Sequence, residues 1–268
     1  MVMVSTLWSR LVRVRVTVGY TAALVAVALA LLALGPHIRD QVLRHASTNL
    51  HNLGEGRFGT LIGSAFVTET GPIYVWLPGL VALLALAELL WRSRRLVVAF
   101  VIGHVGATLL VAAGLAAALA AGLTSWSIVN VTDVGMSYGA VGVLGALTAA
   151  IPRRWRAAWT GWWLAAAFAS AAVTAGDFTN VGHATALVLG MVVGTRFGHP
   201  AHWTTARYGL LAVAVAFGYM IMANTGVSII ATAALGTLGA LSAYWIDRRR
   251  TVRRALTAAT APRPQTAS

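Results

Sequence analysis

Two residues of this chain have the chemistry of a nucleophile and its base. Ser137 opens an apolar run in Asp133-Val134-Gly135-Met136-Ser137-Tyr138-Gly139-Ala140. His183 lies two apolar segments later, in Val181-Gly182-His183-Ala184-Thr185-Ala186-Leu187-Val188-Leu189-Gly190. A serine hydroxyl is a weak nucleophile until a neighbouring base takes its proton, and imidazole is the usual base. Imidazole is also costly in hydrocarbon, so in a membrane segment it faces a bundle interior or a wet cavity. Each residue also has an ordinary reading: a serine that only packs, and a structural histidine bonded to a carbonyl.

The elements that must position them are membrane helices. Of the 268 residues, 58% are hydrophobic and only 10% are charged, and the mean hydropathy is +0.76. Soluble domains carry about 25% charged residues. The composition predicts an all-α, polytopic membrane helix bundle with no large soluble domain. The net charge is +13, and every one of the 20 Lys-or-Arg positions is arginine. These arginines cluster in short links between apolar runs, which fits membrane orientation rather than nucleic-acid binding. The absence of cysteine excludes disulfides, thiolate metal sites and a cysteine nucleophile. No cofactor is implied. His37, His45 and His51 of the first loop lack a compact ligand spacing, so no metal site is expected.

Eight spans are legible. A basic N-terminus and a first span occupy 1–35, and the span is read as retained rather than cleaved, because no small-residue cleavage site follows it. An outer loop covers 36–71, with an interfacial piece from Arg57 to Phe66. Spans two to six lie within 72–197: Pro72 to Trp91, Leu96 to Leu123, Gly135 to Ile151, Ala157 to Ala175 and Val181 to Phe197. Two further spans lie within 198–247, and a basic, disordered tail within 248–268. Trp159, Trp162 and Trp163 at the start of span five read as an interfacial belt. Glu88 is one turn from Arg92 and reads as its partner. His104 reads as a structural histidine on the cytoplasmic side of span three, far from Ser137. Arginines precede span one and follow spans two, four, six and eight. The links after spans three, five and seven carry none; the first loop, with Arg39, Arg44 and Arg57, is the one exception and also carries Asp40, Glu55 and Glu69. The positive-inside rule then places both termini in the cytoplasm of a multi-pass protein of the cell membrane. Spans four and six both start from the outer face, so Ser137 and His183 fall at similar depth, which makes a hydrogen bond between them plausible.

Small residues accompany both. Gly182, Ala186, Gly190 and Gly194 recur at four-residue spacing and allow close helix approach. His183 shares a face with Ala186 and Gly190, which turns it toward the packed side. Gly135 and Gly139 flank Ser137, and Gly135 is read as permitting tight backbone approach beside a nucleophile. On an ideal helix, however, the small residues of span four project roughly opposite Ser137.

With these residues in place, the chain resembles the rhomboid intramembrane serine proteases over about residues 57–197, with span one also in register. It looks closest to divergent rhomboid-like proteins of GC-rich bacteria. Gly135-Met136-Ser137 is similar to the family's Gly-x-Ser-Gly nucleophile motif, and Gly182 to Gly190 to its small-His-x-x-Gly-x-x-x-Gly base motif. Arg57 and the Thr60-to-Phe66 piece look like the membrane-dipping first loop. The resemblance implies a six-helix rhomboid-like core with two extra C-terminal helices, and a Ser137–His183 dyad. The departures are Tyr138 where the motif has glycine, Ala186 for a glycine, and Val141 for an aromatic residue. Active members carry oxyanion-binding His and Asn on helix two. Here Pro72 to Leu80 offers Tyr74 and Trp76 but neither of those residues.

Two functions stay open. One is an intramembrane serine endopeptidase acting on transmembrane substrates. The other is a proteolytically inactive relative that binds membrane clients. Lipid bilayer is a partner in both. A small-solute transporter ranks behind them, because no inverted repeat is evident.

Overall fold

The computed structural model describes residues 11–68 and 73–260, and within these every element is helical. Helix α1 spans Arg15–Leu34. The first loop folds into α2, Pro36–Ala46, α3, Leu50–Gly54, and α4, Thr60–Gly63, which runs into a 3-10 turn at Ser64–Phe66. Helix α5, Ile73–Val101, is broken at Arg92, where φ is +69°. A non-glycine residue rarely takes that conformation. It kinks the helix where spans two and three meet. A π turn at Ile102–Gly106 leads into α6, Ala107–Ala120. Helix α7 covers Ser137–Ala146, α8 Arg153–Val173 and α9 Phe178–Gly194. The last two are α10, Thr205–Met222, and α11, Gly226–Thr260.

Four helical stretches are long and apolar enough to cross a membrane: Arg15–Leu34, Ile73–Ala120, Thr205–Met222 and Gly226–Arg254. The apolar helices Ser137–Ala149 and Phe178–Gly194 are shorter, and they are the two that carry Ser137 and His183. The protein is therefore a multi-pass membrane protein. The short pair is central: Tyr138 to Val143 and Ala186 to Leu187 are almost wholly buried.

Glycine makes that centre possible. A Cβ on Gly190 would lie 1.9 Å from the carbonyl oxygen of Gly142, and one on Gly145 would lie 2.2 Å from that of Leu187. A Cβ on Gly142 would in turn meet Gly103 Cα at 2.5 Å. Helix α7 is thus wedged between α9 and the π turn, at distances that only a hydrogen side chain allows.

Several expectations are corrected. The tryptophans of α8 are not a belt. Trp163 is buried, Trp159 donates from Nε1 to Thr148 Oγ1 at 3.0 Å, and Trp162 lies over Gly236 of α11. Packing of α8 against the last two helices claims the rings that would otherwise mark an interface. Glu88 does not pair with Arg92. Its carboxyl oxygens accept from Val16 N, Thr17 N, Thr17 Oγ1 and Ser93 Oγ at 2.6–3.0 Å. His104, expected on the cytoplasmic side of span three, finds its partner in the outer loop: its Nε2 lies 3.1 Å from Ser64 Oγ. The loop dips to the level of the π turn, which counting along span three alone does not reveal. The expected disordered tail is helical through Thr260, because α11 continues past its apolar part. Residues 261–268 lie outside the described residues, as does Pro72, the expected start of span two.

Candidate functional site

Ser137 is the first residue of α7, half-buried, with Met136 at the N-cap and no side chain capping the helix. Gly135 before it has φ +128°, and nothing stands within 4 Å of where its Cβ would be. Its role is therefore conformational freedom at the turn rather than the close approach expected from sequence. The turn is pinned from the first loop. Gly135 N donates to Ser64 O at 2.9 Å, Asp133 N to Ser47 Oγ at 2.8 Å, and Thr48 N to Asp133 O at 2.9 Å. Ser64 also holds His104, so one serine ties the loop to both the π turn and the strap that sets Ser137.

His183 is in the second turn of α9 and is buried. Among the described residues neither of its ring nitrogens has a hydrogen-bond partner. A buried polar nitrogen without a partner is costly and rare. The ring of Tyr138 packs edge-on against the imidazole, with centroids 5.3 Å apart, and sits where a Cβ on Gly182 would be. The Tyr138 hydroxyl likewise has no hydrogen-bond partner among the described residues.

The expected hydrogen bond between Ser137 and His183 is not formed. The two residues nevertheless line one cavity of about 510 Å³, together with Trp76, Thr179 and Asn224. The supporting small residues fall as follows. Gly139 faces Phe100, Gly182 faces Tyr138, Ala186 is fully buried, and Gly190 sits on Gly142. The stripe on α9 therefore packs on α7, and the glycines at 139 and 142 of α7 turn toward the span-three helix. Tyr74, in contrast, is exposed and lines a different cavity. Among the described residues no group of three or more His, Asp or Glu is arranged to hold a metal ion.

Sequence reasoning missed part of the site. Phe217, Met220, Ile221, Ala223 and Asn224 wall the cavity from α10 and the turn after it. Asn224-Thr225-Gly226 reads from sequence only as a tight turn, and no local pattern links it to Ser137. The hydrogen-bonded pair Ser64–His104 was missed for the same reason: its partners are 40 residues apart.

Residues 12–196 match the family model described as rhomboid-like protein. No curated protein and no solved structure matches the chain.

Proposed function

The chain belongs to the rhomboid-like protein family, and from that premise we propose that it is an intramembrane serine endopeptidase with a Ser137–His183 dyad, cleaving transmembrane segments near the outer leaflet. The observation that carries the reading is the shared cavity: a hydroxyl at a helix N-terminus and an imidazole with both nitrogens unpartnered line the same space. In this reading α1, the two halves of α5 with α6, and α7, α8 and α9 form the six-helix core, and α10 and α11 are the extension.

Each residue then has a task. One His183 nitrogen takes the proton of Ser137 as Oγ attacks the peptide carbonyl. The tetrahedral oxyanion faces the first-turn N–H groups of α7, which have no intrahelical partner and carry the positive end of the helix dipole. His183 gives its proton to the leaving amine, and a water then releases the acyl group by the same route. For the first step the Tyr138 ring must turn aside so that hydroxyl and imidazole meet. Catalytic hydrogen bonds are often long before substrate binds.

The missing hydrogen bond and the tyrosine against His183 favour the second reading, an inactive relative that binds membrane clients. A fluorophosphonate probe on detergent-purified protein separates the two. Labelling forms an Oγ–phosphorus bond at Ser137 and expels fluoride, and needs an activated serine. Labelling that disappears in both Ser137→Ala and His183→Ala is the expected result. An unlabelled wild type, beside an active family member that labels, would make the client-binding reading the better one.

A further inference from the structure

We propose that Asn224, which lies outside the family-matched residues 12–196, completes the site as an oxyanion donor. The proposal rests on the serine-endopeptidase reading above. Attack on a peptide carbonyl develops negative charge that a buried site must meet with fixed N–H or O–H donors. The span that precedes the active centre, from Pro72 to Leu80, has neither histidine nor asparagine. Asn224 is the one carboxamide among the residues lining the cavity that holds Ser137 and His183. Asn224 is exposed, and its side chain makes no hydrogen bond among the described residues.

The segment that carries Asn224 is fixed rather than loose. Phe217 of α10 occupies the hollow over Gly79, where an added Cβ would come within 2.4 Å of Phe217 Cβ. Ser170 Oγ of α8 donates to Met222 O at 2.6 Å, and Asn180 Oδ1 of α9 lies 2.9 Å from the same hydroxyl. Met222 and Ala223 are buried. Just beyond, Thr225 N donates to Ser228 Oγ at 2.8 Å and Ser228 N to Thr225 Oγ1 at 3.2 Å. These two anchors fix the backbone on either side of Asn224 at the cavity wall, and its carboxamide, which no neighbour claims among the described residues, is left to meet the oxyanion. Helix α10 is thereby tied to α5, α8 and α9 and forms one wall of the catalytic space.

The test measures the rate and concentration dependence of fluorophosphonate labelling at Ser137 in detergent. Asn224→Ala and the nearly isosteric Asn224→Asp, which lacks the N–H, should lower the limiting labelling rate by roughly 10²–10³-fold. The probe concentration at half-maximal rate and the melting temperature should stay within error. Asn224→Gln, which keeps the donor, should recover part of the rate. Wild-type protein that labels while Asn224→Ala labels equally fast would overturn this inference and leave the serine-endopeptidase reading standing. Wild-type protein that does not label would overturn both. A slowed Asn224→Ala that melts early and is not rescued by Asn224→Gln would make Asn224 a structural residue and overturn the inference as well.

Discussion

Glu88 holds the start of α1 in place. Its two carboxyl oxygens accept two backbone N–H groups of the first helical turn and two hydroxyls, and the side chain is 1% exposed. First-turn N–H groups have no partner within their own helix, so an acceptor from a neighbouring helix caps them and meets the positive end of the dipole. Glu88→Gln places an N–H₂ where an acceptor is needed and sets donor against donor. A loss of about 1–3 kcal/mol is expected, read as an earlier thermal midpoint in detergent. An unchanged midpoint would show that the cap is dispensable. The same economy of partners governs Ser64. Its hydroxyl meets His104 Nε2, and its carbonyl accepts from Gly135 N. The position of Ser137 is thus set partly by a residue of the first loop.

At the scale of the element, α7 is an unusually short and tightly clasped helix. Two of its glycines face backbone, Gly145 the Leu187 carbonyl of α9 and Gly142 the Gly103 Cα of the π turn. Where the obstacle is backbone, no rotamer change relieves it. Gly190→Ala should therefore cost about 1–3 kcal/mol or more through overpacking, and should disturb the registry of His183 with the cavity. Gly114, on α6, has nothing within 4 Å of its absent Cβ. Gly114→Ala should gain up to about 1 kcal/mol from helix propensity. Thermal melts of the two variants should move in opposite directions. Equal shifts would mean that the close helix contact carries no particular strain.

Across the whole molecule the links sort into two ends. The first loop, the link holding Asp133 and the cavity-lining turn at Asn224 gather around the mouth of the site. At the other end Arg207 donates to Leu89 O and to His202 O, Ala201 N donates to Leu90 O, and Trp203 Nε1 to Ala150 O. The second end carries the arginine clusters after spans two, four and six. With the positive-inside rule, this division supports both termini in the cytoplasm and the mouth of the site outside. A cysteine placed at Ser127, which is exposed in the link after α6, should react with an impermeant maleimide in intact cells. Reaction only after lysis would invert the arrangement and put Ser137 at the inner face.

The amino-acid sequence alone determined the helical class, and it pointed to the apolar runs and to Ser137 and His183. Each of these is written locally: apolar runs long enough to cross a bilayer, arginine clusters between them, glycines at four-residue intervals, and a serine and a histidine near the start of their segments. Helix-to-helix placement was only half legible. The stripe Gly182–Ala186–Gly190–Gly194 announced a close contact but not that α7 would receive it. What the tertiary structure decided are the pairings between distant residues. Glu88 turns to Val16 and Thr17 rather than to Arg92, His104 to Ser64, the α8 tryptophans inward to α10 and α11, and Asn224 to the cavity of Ser137. A buried polar group takes whichever partner the packing brings within about 3 Å. That choice depends on how helices stack across the bundle, which no local pattern of residues encodes.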